Sequence, residues 1–148
     1  MPYIKQLKTL SEKLTQTEHD LSMFFNLSLD LLIVTNRQGE FVRVSPSCLN
    51  ILGYTQDELV GTTWIRLLHP DDFDATMAQF EKMKNGGSVN NFTNRFIRKD
   101  GTVCYLSWRA SRLVDEEYGY AIGRDFEPSD FCNAKDCKKG VAQCQKNI

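Results

Sequence analysis

Asn91-Phe92-Thr93-Asn94-Arg95-Phe96-Ile97-Arg98-Lys99-Asp100-Gly101-Thr102-Val103-Cys104-Tyr105-Leu106-Ser107-Trp108 is the stretch whose reading decides the fold. On either side of Lys99-Asp100-Gly101 the residues alternate at period two and are rich in aromatic and β-branched side chains, so they read as strands over 92–98 and 103–113. Asp100-Gly101 supplies the two-residue turn that sets the register of a long antiparallel hairpin. Beyond it, Asp115-Glu116-Glu117 separates a third strand over 118–125. Three consecutive antiparallel strands need one covered face, and the search for that cover leads back toward the N-terminus.

Immediately upstream, a helix is expected over about 73–84, with Phe73, Met77, Phe80 and Met83 on its inner face. Asn85-Gly86-Gly87-Ser88 stops it, and His69-Pro70-Asp71-Asp72 opens it, with Asp71 or Asp72 as the cap. His69 beside Pro-Asp-Asp reads as a hydrogen-bonding residue at the start of a helix in preference to a ligand or base. Three shorter apolar segments precede it. Ser45-Pro46 begins a turn of helix that Gly53 ends, Thr55-Gln56-Asp57-Glu58 has the form of a capping box closed by Gly61, and Trp64 to Leu68 is the third. Earlier still, Leu31-Leu32-Ile33-Val34-Thr35 and Glu40-Phe41-Val42-Arg43-Val44-Ser45 flank the turn Asn36-Arg37-Gln38-Gly39 and read as a hairpin. Two strands, several helices and three long strands give an α+β arrangement with one five-stranded antiparallel sheet.

Before the hairpin, Ile4, Leu7, Leu10, Leu14, Leu21 and Phe24 recur at spacings of three and four, which puts them on one helical stripe. With Leu7, Leu14 and Leu21 at a positions and Leu10, Thr17 and Phe24 at d positions, the segment reads as nearly three heptads. Lys13 and Glu18 then fall where they oppose each other across a parallel two-stranded coil. Two readings stay open: a homodimer through Leu7, Leu10, Leu14, Leu21 and Phe24, or a single helix packed back on its own domain.

The chain has 148 residues, 41 % hydrophobic, enough for one sizeable core but hardly for two. Expected units are therefore residues 1–25 as an amphipathic helix, 26–126 as the folded domain, and 127–148 as a flexible tail containing cysteine and lysine. Eighteen Lys and Arg against nineteen Asp and Glu leave a net charge of −1, which offers no broad positive field for nucleic acid or anionic lipid. No run approaches the roughly 20 apolar residues of a membrane helix and the start lacks a secretory apolar core, so a cytoplasmic location is expected. Five cysteines at 48, 104, 132, 137 and 144 are an odd number without disulfide-like pairing and read as reduced thiols. The last three could hold a metal only with a fourth ligand from elsewhere, and no metal site is assigned.

The hairpin Leu31-Leu32-Ile33-Val34-Thr35-Asn36-Arg37-Gln38-Gly39, then Asn50-Ile51-Leu52-Gly53-Tyr54-Thr55, Glu58-Leu59-Val60-Gly61, His69-Pro70-Asp71-Asp72, Arg98-Lys99-Asp100-Gly101 and Gly123-Arg124-Asp125 stand in the order of the PAS family, which the chain resembles over about 100 residues. The resemblance implies a curved sheet whose concave face, covered by the helices, encloses a small molecule or is filled by side chains. By strand alternation the inward set comprises Leu32, Val34, Phe92, Asn94, Phe96, Leu106 and Trp108, facing Leu49, Trp64, Leu67, Met77 and Phe80. Asn94 is the polar member and needs a partner, either a neighbouring group or a ligand.

Family cofactors meet specific objections. The segment 61–70 lacks the reactive cysteine of the light-sensing flavin branch. Cys-x-x-Cys-His is absent and the helix 73–84 has no histidine, so haem is not expected. Non-covalent FAD stacked on Trp64 or Trp108, a small organic or fatty acid, or no ligand at all are the remaining possibilities, with no cofactor favoured. Gly-x-Ser-x-Gly, His-Glu-x-x-His and phosphate-loop patterns are missing, so the chain is not expected to be an enzyme, although a longer parent with a histidine kinase or diguanylate cyclase domain fits the resemblance. In the family the last strand ends in an Asp-Ile-Thr relay; here Asp125 is kept, Glu127 replaces the Thr, and Pro128 disfavours a following helix. The expected function is that of a sensory or regulatory module in two-component or cyclic-dinucleotide signalling. The alternative is a ligandless dimerisation or protein-interaction module.

Overall fold

The computed structural model describes residues 2–112 and 116–128. Helix α1 runs over Pro2–Leu27; after it come β1 (Leu31–Thr35), β2 (Phe41–Val44), α2 (Cys48–Leu52), α3 (Gln56–Leu59), two 3₁₀ turns at Trp64–Leu67 and Pro70–Asp72, α4 (Phe73–Lys84), β3 (Ser88–Ile97), β4 (Val103–Ser111) and β5 (Gly119–Phe126). The expected five-stranded antiparallel sheet is present, in the order β2-β1-β5-β4-β3. The last strand thus lies between the first and the fourth. The end of the second long strand at Leu113, the turn residue Asp115, and the tail with Cys132, Cys137 and Cys144 lie outside the described residues.

Local chemistry explains most elements. In the first hairpin the Asn36 carboxamide oxygen accepts from the backbone N–H groups of Gln38 and Glu40, both at 3.0 Å, and shapes the turn. Gly39 closes that turn at φ +80°, where a Cβ would also lie 3.0 Å from the Trp64 indole nitrogen. Thr55 and Glu58 form the reciprocal capping box of α3. His69 Nδ1 accepts from the backbone N–H of Asp71 at 3.1 Å, a helix-capping role. Asp72 departs from expectation: it holds the cap position of α4 without capping, because its carboxylate takes the backbone N–H of Arg95 at 2.6 Å and a two-pronged guanidinium contact at 3.0 and 2.7 Å. That clamp ties the start of α4 to the middle of β3.

The core lies between the concave face of the sheet and the short helices, with Leu31, Phe41, Leu52, Leu59, Leu67 and Leu106 fully buried. Four expected positions are corrected. In β1 the buried residues are Leu31, Ile33 and Thr35, so Leu32 and Val34 point to the opposite, convex face. Leu49 is 52 % exposed, its place toward the core taken by Cys48, Ile51 and Leu52. Along α4, Phe73 is exposed and Thr76 is buried, with Met83 buried and Met77 and Phe80 partly so. A one-residue difference of phase in a strand moves every side chain to the other face, which is why β1 differs as a block.

On the concave side of β5, Gly119, Ala121 and Gly123 follow one another at period two. A Cβ on Gly123 would stand 2.8 Å from Trp108 Cζ3, and one on Gly119 would stand 2.7 Å from the Met83 methyl carbon. The two glycines therefore make room for large side chains from β4 and α4. Gly123→Ala is expected to lower stability by about 1–3 kcal/mol, as overpacking of a filled core does, read as a lower urea midpoint at unchanged slope.

Candidate functional site

Inside the sheet lies a hollow of about 90 Å³ lined by Ile33, Thr35, Trp64, Thr76, Gln79, Phe80, Met83, Val89, Phe92, Asn94, Phe96, Trp108, Ala110 and Ala121. Its floor follows from register. Val89 pairs with Ala110, Ala110 with Ala121 and Ala121 with Ile33, so two alanines side by side on β4 and β5 leave the space that larger side chains would fill. Its roof is α4 and the first 3₁₀ turn, where Trp64 meets Phe80 edge to face at 5.2 Å. On β3, Asn91 adopts φ +55° where the register with β4 shifts, between Val89 and Phe92. The shift keeps both Val89 and Phe92 on the hollow.

Asn94 has its partners within the protein. The Trp108 indole N–H donates to its carboxamide oxygen at 2.7 Å, and its amide nitrogen donates to the Thr76 hydroxyl at 3.2 Å. This buried chain joins β4, β3 and α4. Of the residues expected to face inward, Trp64, Phe80, Phe92, Asn94, Phe96 and Trp108 line the hollow together. Leu67 and Leu106 are buried in the neighbouring core and Met77 packs against it. Leu32, Val34 and Leu49 lie elsewhere. As lining residues, sequence reasoning missed Ile33, Thr35, Thr76, Gln79, Met83, Val89, Ala110 and Ala121, although Met83 was expected on the inner face of its helix; Thr76 was legible only as a partner for Asn94 on the facing helix.

Among the described residues the lining contains no histidine, cysteine or charged residue, and no His, Cys, Asp and Glu cluster could hold a metal. Cys48 and Cys104 are free thiols in the core. Burial raises the pKa of both, Cys104 to about 11, so neither is a thiolate near neutrality.

Outside the lining of the hollow, Lys99 Nζ donates to the Glu58 carboxylate at 2.6 Å, tying α3 to the turn between β3 and β4. That bond, helped by the capping N–H of Thr55, lowers the Glu58 pKa to about 2. Asp125 is exposed on the last strand; it is its neighbour Arg124 that reaches Asp30 in the link between α1 and β1, at 3.4 Å.

A bent antiparallel sheet with short helices over a small hollow defines the PAS class of fold. The family model of the PAS fold matches residues 41–120, and the chain belongs to that family. The chain is 26 % identical over 76 residues to the probable diguanylate cyclase DgcE of Escherichia coli, covering 50 % of this chain and 7 % of that protein. The PAS domain of an HTR-like protein from Haloarcula marismortui superposes with a TM-score of 0.68 at 22 % identity, covering 80 % of this chain and 99 % of that one. A domain of a sensory box sensor histidine kinase/response regulator from Geobacter sulfurreducens gives 0.66 at 20 % identity, over 76 % and 96 % of the two chains. The chain thus spans less than a tenth of its cyclase relative.

Two measurements test this site. Asn94→Ala strands the indole N–H of Trp108 and is expected to cost about 1–3 kcal/mol in urea unfolding, against a smaller loss for Thr76→Val, which leaves the Trp108 bond intact. The depressed Glu58 pKa stabilises the fold above the ordinary carboxylate pKa, and this contribution is lost as pH falls toward about 2. The difference in urea midpoint between the parent and Glu58→Gln should therefore be present at pH 6 and shrink steadily below about pH 4.5.

Proposed function

We propose that this chain is a sensory and relay module of a signal-transduction protein, acting as a homodimer through α1. The observation that carries the reading is the exposure of the α1 stripe. No residue of the helix is buried, and Leu7, Leu10, Leu14, Leu21 and Phe24 are 50–72 % exposed. Five large apolar side chains in heptad register on one bare helix favour a second copy of that helix as their cover.

The root of α1 is where a change in the domain reaches the helix. Arg43 of β2 stacks over Phe25 at 5.1 Å. Next to it, the Ser47 hydroxyl donates to the Asp30 carbonyl at 2.7 Å, the Leu32 N–H donates to the Ser45 hydroxyl at 2.9 Å, and Arg124 reaches the Asp30 carboxylate. A shift of β1 or β5 caused by repacking in the hollow thus moves the base of α1, and a dimeric coil converts that into a change of helix pairing. Asp125, beside Arg124, is assigned to the same relay. A parent with a histidine kinase or diguanylate cyclase output fits this role, as does a cytoplasmic setting where the thiols of Cys48 and Cys104 stay reduced. Among the described residues no helix is long and apolar enough to cross a membrane.

A second reading, a ligandless dimerisation or interaction module, is favoured by the satisfied state of Asn94, which needs no ligand to complete its hydrogen bonds. Leu10→Asp with Leu14→Asp is expected to turn a dimer into a monomer in light-scattering chromatography, weakening association at least about tenfold, while the near-ultraviolet circular dichroism of the domain persists. A parent chain that is monomeric at high concentration overturns the dimer reading.

A further inference from the structure

We propose that the hollow is a binding site for a small, uncharged aromatic or hydrocarbon molecule and discriminates against carboxylates, including fatty acids. The inference rests on the reading of this interior as the sensing part of the module, and it names the class of ligand. It follows from what fills the concave face of β5 and what does not. The Trp108 ring occupies the space over Gly123 and the Met83 methyl group the space over Gly119. Between them, above Ala121 and its register partner Ala110, the hollow remains.

Three properties of its wall set the chemistry. Five aromatic rings border it, among them the edge-to-face pair Trp64 and Phe80, so a planar apolar guest finds both faces and edges to pack against. Among the described residues no cationic or anionic side chain lines it, so a carboxylate or an ammonium group entering it loses water without gaining a charged partner. The buried polar side chains Asn94, Thr76 and Trp108 already bond one another, which leaves the Thr35 hydroxyl and the Gln79 carboxamide, both uncharged, as the other polar side chains of the wall.

Size narrows the class further. An engineered apolar cavity of about 150 Å³ holds benzene or xenon, and the present hollow of about 90 Å³ is smaller. Met83 is the adjustable wall: an unbranched thioether held over a glycine, it can swing aside to admit one ring. A guest seated there presses on Ala121, and β5 carries Arg124, which holds Asp30 at the root of α1.

The test uses the whole chain labelled with ¹³C at its methionine methyl groups and titrated with benzene, and separately with benzoate. Benzene is expected to move the Met83 methyl resonance saturably below its solubility limit, with benzoate at least about tenfold weaker. Ala121→Val should weaken the benzene response and Ala121→Leu should abolish it, while the mass of the assembly stays that of the parent. An unmoved Met83 resonance at the solubility limit of benzene, a benzoate response as strong as that of benzene, or unaltered benzene binding by both variants each overturns the proposal. The comparison of the two probes on the parent chain stands even where Ala121→Leu fails to fold. A monomeric parent that still binds benzene removes the dimer reading and leaves this one; a dimer blind to benzene does the reverse.

Discussion

The antiparallel ladder between β1 and β5 is the constraint on which the rest of the structure depends. It pairs Leu31 with Gly123 and continues to Thr35 with Gly119. β1 brings its hairpin partner β2 and the link from α1; β5 brings β4 and, through it, β3. Without this ladder the early hairpin and the late meander are two small sheets, each with a bare apolar face. With it they form one curved surface that α2, α3 and α4 can cover. Such long-range pairing pays loop-closure entropy before contacts reward it, so the hydrogen bonds and buried side chains on both flanks must form together.

Placing β5 at the centre has a consequence for the interior. A central strand with Gly119, Ala121 and Gly123 on its concave side is the thinnest part of the wall, and bulky neighbours lean over it. Trp108 and Met83 fill two of the three recesses, and the third is left open above the alanine pair. The hollow is thus a product of side-chain volume on adjacent strands. The polar chain Trp108–Asn94–Thr76 holds its edge, since each member is buried and none can change partner without leaving a donor or acceptor unpaired.

The outside of the same sheet tells a complementary story. Leu32, Val34, Tyr120 and Ile122 lie on its convex face, where with Phe24 and Phe25 they border a broad groove beside α1. Among the described residues the helix meets its own domain toward its C-terminal end, where Phe25 lies under Arg43, and no residue along it is buried. Hollow and helix root are connected by two short steps, Ala121 to Arg124 along β5 and Arg124 to Asp30 across the link. This gives the sensory reading a physical path with named contacts.

Elements governed by neighbours in sequence were legible from the sequence alone. The Thr55–Glu58 capping box, the Asn36 turn, the capping role of His69, the apolar stripe of α1 and the long hairpin each rest on interactions within a few residues, although the hairpin closes through the three-residue loop Lys99-Asp100-Gly101 between Arg98 and Thr102 and not through the expected two-residue turn. So does the recognition of Asn94 as a polar residue in need of a partner. The phase of β1 was not legible, because Leu31-Leu32-Ile33-Val34 is apolar on both faces and alternation carries no sign in such a run; Ser45, Ser47 and the β5 ladder choose the face. Leu49 was misplaced because a five-residue helix has too few turns to define a stripe, and Asp72 because Arg95, its true partner, comes from a distant strand. The space made by Gly119, Ala121 and Gly123 belongs to the same category. Local hydrogen-bonding and periodicity determine which elements exist, whereas cross-strand register between distant residues decides which side chains meet, and only the folded chain contains that register.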